Sequence, residues 1–156
     1  MIAPLAVGLA MCVLSLGVQA VPIALLIRIA TSKHPRSLTR PSFPANLLLV
    51  QIAAAVVFVA QLVSVGLWAA LFCLCGEFAD YETAYYHSAV NYSSLGYGDI
   101  VMSVRWRLLG PLEAIDGIVM FGISTALIFA LIMRLIEQRL KAKETADPGS
   151  RSEDRT

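Results

Sequence analysis

Apolar residues in this chain are gathered into three long runs. No charged residue occurs from Ile2 to Ile27, from Leu47 to Gly76 or from Gly117 to Met133. Each run reaches or approaches the roughly 20 residues that a helix needs to cross about 30 Å of hydrocarbon. Between the second and third runs lies a different pattern. Tyr81–Tyr92 is amphipathic and free of Gly and Pro, which predicts a helix of about 18 Å, roughly half a bilayer. A Gly-x-Gly stretch with no helical or strand period follows it. Irregular backbone after a half-length helix is tolerated at membrane depth only where it lines a watery path or is buried in protein. The pattern therefore predicts three spanning helices and a re-entrant loop.

Composition supports the same reading. The chain of 156 residues is 58% hydrophobic and 15% charged, with a mean hydropathy of +0.72. Such values point to a membrane rather than a globular class. The net charge of +1 is less informative than its distribution. Arg28, Lys33, Arg36 and Arg40 lie between the first two runs with no acidic residue among them. Arg134, Arg139, Lys141, Lys143, Arg151 and Arg155 follow the third run, whereas Arg105 and Arg107 share the loop region with Glu77, Asp80, Glu82 and Asp99. The positive-inside rule then predicts a cytoplasmic first linker and C-terminal tail, with the N-terminus and the Glu77–Gly110 segment outside. Val18-Gln19-Ala20 resembles a signal-cleavage site, but the run has no basic n-region and is too long for a typical h-region. Cys12, Cys73 and Cys75 fall inside apolar runs and read as small apolar residues, not metal ligands.

The expected organisation is an N-terminal transmembrane helix (1–30), a Ser/Pro-rich basic cytoplasmic linker (31–46), a region holding the second and third runs with the loop between them (47–138) and a short polar, disordered tail (139–156). Pro41 and Pro44 stand where a second helix of about Ala45–Cys75 begins. His34 and His87 fall on opposite sides by this topology and no nucleophile–base or metal set appears, so an enzyme is not expected. Nucleic-acid binding has no support either.

The loop stretch Ser94-Leu95-Gly96-Tyr97-Gly98-Asp99 carries the chemistry. Gly96 and Gly98 alternate with Leu95 and Tyr97, and glycine reaches backbone angles that side chains forbid. The segment Tyr85–Asp99, Tyr-Tyr-His-Ser-Ala-Val-Asn-Tyr-Ser-Ser-Leu-Gly-Tyr-Gly-Asp, closely resembles the pore helix and selectivity filter of potassium channels. The resemblance extends over about Leu47–Gln138. It implies an all-α membrane protein: three transmembrane helices per subunit, a re-entrant pore helix and filter loop, and a homotetrameric pore in the cell membrane. Backbone carbonyls of Ser94–Gly98 would replace the hydration shell of K⁺, with no cofactor beyond the permeant ion. Ser94 would add its hydroxyl, and Asp99 would raise cation concentration at the outer mouth. Threonine is usual at Ser94 and valine at Leu95, so a weakly selective cation channel on the same scaffold is the nearest alternative. A Ser94→Thr change is expected to restore a packing methyl and to keep or sharpen selectivity. A non-conducting membrane subunit that modulates another channel is a further alternative.

Other roles follow from the resemblance or stay open. His87 either braces the filter through the Tyr97 hydroxyl or merely packs at the helix interface. Gly117 stands at the hinge position of the inner helix, where it would either permit bending or allow close packing; Gly122 is open to the same two readings. Ile118, Phe121, Thr125 and Phe129 share one helical face, which would line the cavity below the filter or simply pack. Glu113 and Asp116 would support the pore helix from behind or attract ions directly. The basic residues after the third run mark the cytoplasmic boundary and would meet lipid headgroups. A lone Arg28 does not make a voltage sensor.

Overall fold

The computed structural model describes residues 2–31 and 43–146. These form four α-helices: α1 (Ile2–Thr31), α2 (Phe43–Leu74), α3 (Tyr81–Tyr92) and α4 (Leu109–Ala146). There is no strand among the described residues. Three helices are long and apolar enough to cross a membrane, over Ile2–Leu25, Pro44–Leu74 and Leu109–Lys141. α2 has 32 residues, about 48 Å at the α-helical rise, so it must tilt or project beyond the hydrocarbon.

Two boundaries differ from expectation. α1 runs through Thr31 and α2 starts at Phe43, so the linker is shorter than 31–46, and residues 32–42 lie outside the described residues. α4 continues through Lys143 to Ala146, so the tail expected to be disordered from Glu144 begins as helix; residues 147–156 again lie outside. Lys141-Ala-Lys-Glu-Thr-Ala contains no helix breaker, and Pro148 and Gly149 come only afterwards.

Helix directions can be read from pairs of neighbours. Gly8 lies beside Leu112 and Gln19 bonds Ser124, so α1 and α4 run parallel. Trp68 bonds Asp116 and Gln61 bonds Ser124, so α2 and α4 run antiparallel. This is the arrangement required when α1, α2 and α4 cross one bilayer in succession with α3 re-entering between the last two.

Lipid is as apolar as leucine, so burial alone gives spanning helices little reason to associate; packing and interhelical hydrogen bonds of about 0.6–2 kcal/mol each must do it. Both are present. Trp68, Phe72, Ala84, Tyr92, Leu109 and Met120 are completely or almost completely buried where α2, α3 and α4 meet. Three hydroxyls of α3 donate to carbonyls of α2: Tyr81 to Gly66 (3.0 Å), Tyr85 to Leu62 (3.4 Å) and Ser88 to Val65 (2.8 Å). α3 is thereby pinned along α2, with its C-terminal end turned toward the middle of α4.

Candidate pore loop and filter

The half-length helix begins cleanly. Asp80 has an extended backbone, and its carboxylate accepts the Thr83 N–H at 2.7 Å. That hydrogen bond holds the Asp80 carboxyl below the usual carboxylate range and satisfies one of the orphan donors of the helix start. Glu82 adds a negative charge in the first turn, matched to the positive end of the helix dipole. The negative end falls at Tyr92, next to the loop.

After Tyr92 the chain leaves the helix without becoming a strand. Ser93, Ser94, Leu95 and Gly96 turn their N–H groups back onto the carbonyls of Ala89, Asn91 and Val90, at 2.8–3.3 Å. Ser94, Gly96 and Gly98 have positive φ values of 59°, 60° and 73°. Leu95 and Tyr97, between them, do not. An alternation of hand at successive residues lets their carbonyls face one side, which an ordinary strand cannot do. The glycines were legible in the sequence; the left-handed Ser94 was not. A β-branched residue at such a φ is a genuine outlier, so the backbone itself favours serine over threonine here. The φ of Ser94 weighs against the expectation that Ser94→Thr keeps or sharpens selectivity.

Residues 93–99 are all exposed in the chain, including the apolar Leu95 (54%) and Tyr97 (67%). Beside the loop lies a cavity of about 530 Å³, lined among others by His87, Asn91, Ser94, Gly96, Gly98 and Arg107. Neither side of the loop is filled by its own chain.

The loop is tethered at its outer end. Tyr86 donates its hydroxyl to Asp99 at 2.7 Å, and this bond holds the phenol above its usual range. Asp99 is thus held in place beside the loop by a neutral donor. His87 does not reach Tyr97 within the chain. Its ring packs against Phe72 and Phe78, and its Nε2 meets Asn91 Nδ2 at 2.9 Å. Further out, Glu77 accepts both the N–H and the hydroxyl of Ser103, each at 2.6 Å, clamping the descending loop to the end of α2.

Glu113 and Asp116, near the start of α4, are buried behind α3. Glu113 is fully buried and hydrogen-bonded with the Ser88 hydroxyl. Asp116 is 3% exposed and accepts the Trp68 indole N–H at 2.9 Å. This arrangement favours mechanical support over direct ion attraction. Gly117 lies so close beneath the Tyr92 carbonyl that a Cβ would collide with it, whereas a Cβ on Gly122 would meet nothing within 4 Å. At Gly117 the structure thus gives a reason for the close packing that was one of its two readings. Ile118, Phe121, Thr125 and Phe129 all lie on the uncovered side of α4.

Polar residues inside the apolar runs, which had no assigned place, form a chain across all four helices. Tyr92 donates to Gln61 Oε1 (2.8 Å), Gln61 Nε2 to Ser124 Oγ (2.7 Å), and Gln19 Nε2 to the same oxygen (2.9 Å). The available signal was the presence of lone amides, Gln19 and Gln61, in otherwise apolar spans.

Three apolar helices, a capped half-length helix between the second and third, and a loop of alternating backbone hand define a multi-pass membrane protein. Residues 47–134 match a family model described as ion channel, and the chain belongs to that family of two-helix pore modules, which includes potassium-channel pore domains. α1 lies outside the matched segment. No curated protein and no solved structure matches the chain. It is an ion-channel protein.

Proposed function

We propose that the chain is one subunit of a homotetrameric, potassium-selective channel of the cell membrane whose filter is Ser94–Gly98. The observation that carries this reading is the alternation of hand at Ser94, Gly96 and Gly98 on a loop its own chain leaves uncovered. One such loop offers too few oxygens to replace a hydration shell; several around an axis supply a cage. Uncovered irregular backbone is also untenable in lipid, so neighbouring copies both complete the site and bury it. Closed cyclic symmetry then gives four equivalent strands. The negative end of α3 points toward the inner end of the loop and favours a cation there.

Below the filter, Ile118, Phe121, Thr125 and Phe129 line the cavity. The hinge of α4 belongs at Gly122 rather than Gly117. Gly122 is unobstructed, and the Ser124 and Thr125 hydroxyls bond back to the carbonyls of Met120 and Phe121 at 2.7 and 2.9 Å, which loosens a helix locally. The first linker and the tail lie in the cytoplasm, where Arg134, Arg139 and Lys141 meet lipid headgroups.

Reversal potentials of the purified protein in opposed potassium and sodium gradients test the reading. A reversal that follows potassium supports it. Indifference to the two cations replaces it with a weakly selective channel, and absence of current with a non-conducting subunit.

A further inference from the structure

The Ser124 hydroxyl is saturated. It donates its one proton to the Met120 carbonyl at 2.7 Å and accepts from Gln61 at 2.7 Å and Gln19 at 2.9 Å. A hydroxyl has one proton and two lone pairs, so no capacity is left over. Gln61 in turn accepts from Tyr92, the last residue of the pore helix, and the filter begins two residues later at Ser94. The chain of bonds thus runs from α1 through α4 and α2 to the inner end of the filter.

Stability does not account for Gln19. Its side chain is 1% exposed at membrane depth, and its Oε1 has no donor among the described residues. An unmet buried carbonyl is costly where no water can reach it. A leucine would fill this place on α1 without that cost. α4 and α2 are already joined by the Gln61–Ser124 bond, so Gln19 adds no link between them. What its amide adds is a tie from α1, a helix outside the family-matched segment, to a hydroxyl at the unobstructed part of α4.

We infer that Gln19 is a positioning residue for the filter, acting through Ser124 and Gln61 on Tyr92, so that the N-terminal helix sets how readily the pore conducts. The inference rests on the channel reading. Movement of α4 near Gly122 displaces Ser124, and with it the amide that holds the Tyr92 hydroxyl. α1 runs parallel to α4 and anchors Ser124 by a second bond to the same oxygen. Removing the anchor lets the end of the pore helix relax, which lowers the time the filter spends in its conducting form.

The test is single-channel recording of the full chain reconstituted in planar bilayers, together with thermal unfolding of the assembled protein. Gln19→Leu is expected to lower open probability by about threefold to thirtyfold, the range for one interhelical hydrogen bond in lipid. Unitary conductance should be kept, and unfolding temperature kept or raised. Tyr92→Phe should lower open probability too, and the double variant should be no worse than the more affected single one, because both break one chain. Leu16→Ala, an exposed position on the same helix, should change neither readout. Additive effects of Gln19→Leu and Tyr92→Phe, an unchanged open probability, or a fall in unfolding temperature with gating preserved would each overturn the inference while leaving the channel reading intact. Absence of current from the unsubstituted protein would overturn the channel reading and this inference with it.

Discussion

The carbonyl of Tyr92, the last residue of the pore helix, lies directly against Gly117 of α4, leaving no room for a side chain between them. Both surfaces are backbone, so neither can swing aside. The start of the loop after α3 is therefore seated on the third spanning helix by a contact that only glycine permits.

Gly117→Ala should accordingly destabilise the fold by about 1–3 kcal/mol, the usual cost of overpacking. Gly122→Ala should be neutral or stabilise α4 by up to about 1 kcal/mol, because open space surrounds it and alanine favours helix. Thermal unfolding of the two variants in one detergent measures the difference. Equal losses would count against the packing assigned to Gly117. Gly122→Ala should also reduce opening, since it stiffens the proposed hinge.

The filter makes a sharper claim. At φ values of 60° and 73°, an added Cβ costs about 1 kcal/mol or more per residue. Gly96→Ala or Gly98→Ala repeats that cost in every subunit, so potassium selectivity or current should be lost while the protein still assembles. Ser94→Thr should weaken current, because a β-branched residue resists a φ of 59°, and Ser94→Gly should be better tolerated than Ser94→Thr. Current measurements on the three positions decide it. Normal selective current through Gly96→Ala would mean that the filter lies elsewhere.

Tyr86→Phe removes the 2.7 Å tether to Asp99 and should shorten open events without changing assembly. The tether also has a pH signature. Its bond raises the phenol's pKa in the folded protein, so its contribution is complete below the ordinary tyrosine value of about 10 and is lost only as pH rises through the raised value. Open times of the parent channel should therefore be insensitive to this group at neutral pH and fall in alkali. Tyr86→Phe should abolish that fall.

Orientation can be tested by labelling. In a background lacking Cys12, Cys73 and Cys75, a cysteine at Ser103 should react with a membrane-impermeant thiol reagent applied to intact cells. One at Ser37 should be protected. The opposite pattern would invert the topology.

Much of this protein is written locally. Uncharged runs determine which segments span, because a charge at the bilayer centre costs several kcal/mol wherever the chain places it. Tyr81–Tyr92 is helical in the structure over the residues its pattern predicted, since Asp80 caps it and no breaker interrupts it. The glycines at 96 and 98 announce unusual backbone by their identity alone. What the sequence could not decide is which distant groups meet. His87 was open to bracing Tyr97 or to packing, and within the chain it packs on Phe72 and Phe78 and meets Asn91, while the tether to the loop comes from Tyr86. Gly117 was open to bending or to close packing, and the packing contact appears only because the crossing of α3 over α4 brings the Tyr92 carbonyl there. Gln19, Gln61 and Ser124 each look like isolated polar residues in apolar runs. Their shared purpose exists only once three helices align their heights, for hydrogen bonds act over about 3 Å and carry no trace along the chain.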